Sequence, residues 1–165
     1  MHFWDGANIQ LTATNKRENF VFELNDKRAL VTGAASGIGK AIAAAFARQG
    51  AQVWIGDVDD EKGAAAAAEI GEAATFINLD VTCTDSIDNA VASVAAGGGR
   101  LDIWVNNAGV GHVGTVLETE VTDWDRIMAV NAKGMFLCSR AVVKHMTAQE
   151  PQGGVIINMA SIASL

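Results

Sequence analysis

The sequence contains no tyrosine, one proline, two cysteines and only 12 lysines and arginines among 165 residues. Against 19 aspartates and glutamates the basic side chains leave a formal charge of −7. Such a chain repels a phosphate backbone, so nucleic acid is not an expected partner. Cys83 and Cys138 are too few and too far apart for a disulfide framework or a zinc site, and read as two buried small hydrophobes in a reducing setting. His2, His112 and His145 lack ligand spacing, so no metal is expected. No stretch approaches the roughly 20 apolar residues of a membrane span. Met1 to Gln10 carries Asp5, Asn8 and Gln10 where a leader would have a basic end and an apolar run. The expectation is a soluble, cytoplasmic protein with no membrane association. What is present is an ordinary globular balance, 50% hydrophobic and 19% charged with 17 glycines. The length suits one domain of roughly 100–200 residues.

From Lys27 onward, short apolar runs alternate with helical patterns, as βα units feeding a parallel sheet do. Strands are expected near 28–32, 52–56, 75–79, 101–106 and 154–159. They are too continuously apolar for a sheet with one wet face, so helices should cover both faces. Ile87, Ala90, Val91, Val94 and Ala95 recur at helical spacing, with Thr84 or Asp85 able to cap the start and Gly97-Gly98-Gly99 the end. Ile38, Ile42 and Phe46 mark a second helix closing at Gly50, and Ala64 to Ala68 reads as a helix face packed closely on the sheet. Residues 120–149 should form one or two longer helices stopped just before Pro151. Trp54 and Trp104 read as core and Trp124 as a helix-packing anchor. Met135, Phe136, Ala141, Val142 and Met146 offer more apolar surface than one sheet face needs, a motive for a dimer or tetramer. Residues 1–25, where Phe20, Phe22 and Leu24 alternate, read as a flexible N-terminal arm before a domain over 26–165.

Thr32-Gly33-Ala34-Ala35-Ser36-Gly37-Ile38-Gly39 follows the first strand and opens a helix, where backbone N–H groups and the helix dipole favour a diphosphate. Gly33 permits the tight turn, Gly37 the approach of phosphates and Gly39 the packing of helix on strand. The turn also comes near the ATP-binding P-loop and misses it: Ala34 stands where a glycine is required, and Ala41 where the residue after Lys40 must be Ser or Thr. A glycine turn alone can be just a turn. The second strand strengthens the functional reading, because it ends at Asp57, 24 residues after Gly33 and close to the roughly 20 expected of an acid that holds an adenosine ribose. A carboxylate there accepts from free 2′- and 3′-hydroxyls and repels a 2′-phosphate, which favours NAD over NADP.

Four motifs in order now resemble the short-chain dehydrogenase/reductase family: Thr32-Gly33-x-x-x-Gly37-Ile38-Gly39, Asp80-Val81, Asn106-Asn107-Ala108-Gly109 and Asn131 inside a helix. The match runs from about Phe22 to Leu165. The resemblance implies an α/β fold with a Rossmann-like, doubly wound parallel sheet, here truncated after the fifth strand. It implies cofactor contacts from Gly33, Ser36, Gly37, Ile38, Gly39, Asp57 and Val58. Asp80 and Val81 would touch the adenine, and Asn107, Ala108 and Gly109 the ribose region. Asn106 would tie neighbouring strands. NADP-dependent members often carry a basic residue where Ser36 stands, which agrees with the Asp57 argument. The family's reaction is hydride transfer between a nicotinamide cofactor and a secondary alcohol or ketone, in dimers or tetramers. Its catalytic set is Asn, Ser, Tyr and Lys; Asn131 and Ser161 match the first two.

The family's Tyr-x-x-x-Lys has no match here. The apolar run Val155 to Met159 would lie at a sheet edge with one hydrogen-bond row unpaired, and Ser161 to Leu165 reads as a loop in passage. The expectation is the cofactor-binding part of a longer oxidoreductase. The competing expectation is a dinucleotide-binding module without catalysis. Gly111-His112-Val113-Gly114 either borders the substrate or is a plain loop.

Overall fold

The computed structural model describes residues 23–97 and 99–161. Five strands, β1 (Arg28–Thr32), β2 (Gln52–Asp57), β3 (Ala74–Asn78), β4 (Ile103–Asn106) and β5 (Val155–Asn158), form one parallel sheet in the order β3-β2-β1-β4-β5. Between them run α1 (Gly37–Arg48), α2 (Asp60–Ile70), α3 (Thr84–Ala95), α4 (Val121–Met128) and α5 (Met135–Ala148). The strand order reverses between β1 and β4, where an open α/β sheet leaves a crevice beyond its carboxyl ends.

Alternation of side chains explains why the strands read as continuous apolar runs. Leu30 and Trp104 point to one face and pack with Ile87 and Val94 of α3 and Leu137 and Val142 of α5. Ala29, Val31, Val53, Ile55 and Val105 point to the other, against Ala43 of α1 and Ala66 and Ala67 of α2. The alanine stretch is thus only half a packing face: Ala66 and Ala67 are buried, while Ala64, Ala65 and Ala68 face outward. Beside them Gly63 lets α2 approach the Phe76 ring, which would lie 2.1 Å from an added Cβ.

The sequence reading is corrected in several places. Ile38 is 66% exposed; Gly39 and Ala43 are the buried positions of α1, with Ile42 and Phe46 partly buried. Neither Thr84 nor Asp85 is the N-cap of α3; Cys83 is, and it is exposed, so only Cys138 is a buried cysteine. Residues 121–148 form a continuous helical stretch in which α4 and α5 are joined by a π-helical turn, Ala129–Gly134. Trp104 is fully buried, but Trp54 is only partly so and lies under the Arg28 guanidinium at 6.0 Å. Trp124 is 60% exposed, so among the described residues it is not the buried packing anchor that was expected. Val142 and Met146 belong to the core; the apolar side chains α4 and α5 expose are Val121, Trp124, Met128, Met135, Phe136 and Val143. The expectations for Phe20 and Phe22 lie outside the described residues. Among those that are described, no helix is long and apolar enough to cross a membrane.

Candidate cofactor-binding site

The carboxyl ends of β1, β2 and β4, with the segment after β3, enclose a cleft of about 270 Å³. Gly33, Ser36, Asp57, Val58, Asp80, Val81, Asn107, Ala108 and Gly109 line it, together with Leu79, Val110 and Val130. All but the last three were expected from the sequence. Gly37, Ile38 and Gly39 do not line it. Gly37 lies beside the turn with φ +56° and nothing within 4 Å of where a Cβ would stand, so the backbone there is open to an approaching group. Gly39 faces inward: an added Cβ would lie 2.4 Å from the Gly33 carbonyl oxygen and 2.5 Å from Asn107 Nδ2. Gly33, at φ +63°, sits where a Cβ would come within 2.7 Å of Ala108 Cα. These two glycines therefore serve the contact between the β1 turn and the β4 turn.

Thr32, absent from the sequence-based set of site residues, is what joins those turns. Its hydroxyl donates to the Val105 carbonyl at 3.2 Å and accepts from the Asn107 and Ala108 amides at 3.0 and 2.9 Å. Asn107 reciprocates, its Nδ2 donating to the carbonyls of Thr32 and Gly33 at 2.9 and 3.1 Å. The partners of the Thr32 hydroxyl lie in and just after β4, more than 70 positions on, so no local pattern marks it in the sequence. One position before Asn107, Asn106 performs the expected tie: its Nδ2 donates to Asn158 Oδ1 on β5 at 2.8 Å and to Ser139 Oγ on α5 at 3.1 Å. Its Oδ1 accepts from Trp104 Nε1 at 2.7 Å.

Asp57 has a double task. Its Oδ2 accepts from the Ala35 amide at 3.0 Å and its Oδ1 from the Asp59 amide at 3.1 Å. The carboxylate thus clips the glycine turn to the end of β2 while keeping lone pairs that face the cleft. Asp80 organises the next loop, its Oδ1 accepting from the amide and hydroxyl of Thr82 at 2.8 and 2.7 Å.

Asn131 lies in the π-helical turn and exchanges two hydrogen bonds with Val110, each 2.9 Å. A widened turn of this kind re-aims a side chain without ending the helix. Gly134 lets it pass close to Val81, whose Cγ2 would be 2.9 Å from an added Cβ. Asn131 therefore holds the segment leaving the Asn-Asn-Ala-Gly turn. Ser161 lies three residues beyond β5 on the same carboxyl side of the sheet and is hydrogen-bonded or otherwise engaged there. The 111–114 loop carries Gly111, whose carbonyl accepts from Arg126 Nη2 at 3.2 Å, and His112, whose Nδ1 is 3.8 Å from Asp123. Burial drives the Cys138 thiol up to about 12, which keeps it protonated at neutral pH.

A parallel sheet with this strand order, two interlocked turns at its switch point and an acid ending the second strand define a dinucleotide-binding type of domain. The family model described as short chain dehydrogenase matches residues 27–165, and the chain belongs to that family. It is 46% identical over 140 residues to a sorbitol dehydrogenase of Cereibacter sphaeroides, a match that takes in 85% of this chain and 54% of that protein. To a D-threitol dehydrogenase of Mycolicibacterium smegmatis it is 45% identical over 149 residues, 88% of this chain and 56% of the relative. Its fold is similar to the crystal structure of a 3-ketoacyl-(acyl-carrier-protein) reductase from Brucella melitensis complexed with NADH, at TM-score 0.79 and 39% identity over 84% of this chain and 58% of that one. The chain spans about half the length of the curated relatives it matches.

Proposed function

We propose that this chain is the NAD-binding part of a cytoplasmic oxidoreductase that moves hydride between a nicotinamide cofactor and a secondary alcohol or ketone. The observation that carries this reading is the convergence of the glycine turn, Asp57, Asp80-Val81 and Asn107-Ala108-Gly109 on one cleft. The residues fit the cofactor: Gly37 leaves open backbone at the start of α1, and Asp57 offers acceptors without a neighbouring cation at Ser36 or Val58. When bound, the nicotinamide gives or takes the hydride. The chain's part is to orient it: Asp57 accepts from the ribose hydroxyls, the glycine turn faces the diphosphate, and Thr32 and Asn131 keep the β4 turn in place. Ser161 would donate to the substrate oxygen.

The test is a fluorescence titration with NADH and NADPH. Saturable NADH binding and weaker NADPH binding are expected, and Asp57→Ala should narrow the difference by roughly 1–3 kcal/mol, one charge-assisted contact plus relieved repulsion. Asp57→Asn keeps an acceptor for one clipped amide and isolates the charge. Equal or tighter NADPH binding would sink the NAD preference, and no NADH binding the whole reading.

A second reading, a binding module without catalysis, is favoured by one feature: the 165 residues contain no tyrosine. Hydride transfer leaves an alkoxide to be protonated, and positioned acid–base help is worth about 10²–10⁴-fold. The 165-residue polypeptide should therefore bind NADH and show no turnover above background on a panel of secondary alcohols and ketones. Measurable turnover would show that another residue moves the proton. The exposed apolar side chains of α4 and α5 further support assembly into a dimer or tetramer through that face.

A further inference from the structure

The segment that leaves the Asn-Asn-Ala-Gly turn is tied to the helices behind it twice. At Val110, which lines the cleft, the tie is neutral: the Asn131 side-chain amide meets the backbone amide and carbonyl. One residue further on it is ionic. Arg126 Nη2 on α4 donates to the Gly111 carbonyl at 3.2 Å and reaches within 3.8 Å of Asp123 Oδ1, while Asp123 Oδ2 lies 3.8 Å from His112 Nδ1. The loop is shaped around that imidazole. Val113, Val116 and Leu117 stand almost wholly in water, yet the His112 side chain is only 23% exposed, and Gly114 makes room for it, because an added Cβ would lie 2.8 Å from His112 Nε2. The same gap is bordered by Glu118, but its Oε2 accepts from the amide and hydroxyl of Thr115 at 2.9 Å each, bonds that hold its carboxyl below the usual carboxylate range. Glu118 is thus occupied in its own turn, and Asp123 is the carboxylate that faces the ring.

We propose that His112, Asp123 and Arg126 form a titratable strap that holds the loop over residues 110–114 against α4, more tightly when the imidazole is protonated. A neutral imidazole gains little from an oxygen 3.8 Å away, which is beyond a hydrogen bond; an imidazolium adds a charge pair that joins loop to helix. That contribution is present at lower pH and is lost as pH rises through the range in which histidines titrate. The Arg126 contact with Gly111 persists on both sides of that range, a guanidinium being permanently charged. Since Val110 is part of the cleft, a firmer loop fixes one of its walls.

The experiment is hydrogen exchange of the Val110 and Thr115 amides, which donate to Asn131 and Glu118, in the cofactor-free protein at about pH 5.5 and about pH 8, on either side of the histidine range. Each variant is compared with the parent at the same pH, which cancels the intrinsic chemistry of exchange. His112→Gln should exchange about two- to fivefold faster than the parent at the lower pH, the range of an exposed ion pair, and within about 1.5-fold at the higher. Asp123→Asn should respond to pH in the same way, and the doubly substituted protein should be no faster than the faster single variant. Arg126→Gln should speed exchange at both pH values. An equal effect of His112→Gln at both would make the ring a packing element and overturn the titration. No effect of His112→Gln or of Arg126→Gln, or a full effect of His112→Gln in the Asp123→Asn background, would overturn the strap. Amides of β1 open only with the whole fold, so an equal acceleration there would overturn a local device. Because no cofactor is added, failure here leaves the NAD reading standing, and absent NADH binding leaves the strap standing.

Discussion

β1 and β5 both pair with β4, and both are apolar, yet β1 is buried from Ala29 to Thr32 while β5 exposes Val155, Ile157 and Asn158. β1 has strands on both sides and helices on both faces; β5 ends the sheet, and only Ile156 packs against the core. Apolar sequence thus announces a strand in a sheet, and the neighbours decide how much of it leaves water. The largest difference should appear on truncation. Leu30→Ala is expected to cost about 2–5 kcal/mol, through lost transfer energy and the cavity left behind, and Ile157→Ala less than about 1 kcal/mol, in urea unfolding. Equal costs would mean that Ile157 is covered in solution and would break the comparison.

The same contrast explains what was legible in the sequence. All five strands were; burial on both faces explains the unbroken apolar run of the inner strands β2, β1 and β4, while β3 and β5, at the two sides of the sheet, are apolar without being fully buried. The start of β4 lies two residues later than the sequence suggests for a reason distant in the chain: Leu101 bonds through its amide and carbonyl to the Gln149 side chain, at 2.9 and 3.1 Å. That pairing takes its backbone out of the ladder, and Gln149 lies 48 positions away, where no local pattern reaches. Ile38 fits the helical period of α1, but the turn draws the helix so close that only Gly39 can occupy the contact. In α4 no residue is buried, so Trp124, expected as a packing anchor, belongs to an outward stripe instead. At the site, the glycine turn and Asp57 could be read from spacing, and Asp80 only through the family resemblance. The hydroxyls of Thr32 and Ser139 could not, since their partners come from other elements and an isolated Thr or Ser gives no periodic sign.

Two glycines sharpen the comparison at the next level. Gly39→Ala would press a methyl into the Gly33 carbonyl and the Asn107 amide, and Asn107 is itself tied to the Thr32 and Gly33 carbonyls. Neither neighbour can yield without parting the two turns, so a loss of about 1–3 kcal/mol is expected, with NADH affinity lower by about tenfold or more. Beside β5, Gly154→Ala meets atoms just as near, 2.5 Å, but they are Cε and Sδ of Met146. A thioether swings aside at little cost, so the change should stay below about 1 kcal/mol. Thermal unfolding of both variants, with NADH titration of the first, decides the matter; a Gly39→Ala protein with parental affinity would show the turns to be less interlocked than their hydrogen bonds indicate.

The smallest effect on stability belongs to the outward stripe. Val121, Trp124 and Met128 recur at helical spacing on α4, and Phe136 and Val143 are seven residues apart on α5. Phe136 is 59% exposed and lies under the Arg140 guanidinium at 5.7 Å, so replacing it removes little burial within the chain. Phe136→Glu would place a carboxylate four residues before that arginine, an arrangement worth about 0.2–0.5 kcal/mol in a helix, and should leave unfolding within about 0.5 kcal/mol of the parent. Assembly should respond quite differently, because the new charge would have to leave water wherever two copies meet on this face. Light scattering across a concentration series should show a dimer or larger species for the parent and a shift toward monomer for Phe136→Glu. A parent that stays monomeric at every concentration would remove the proposed assembly, and a variant that associates as the parent does would move the interface off α5.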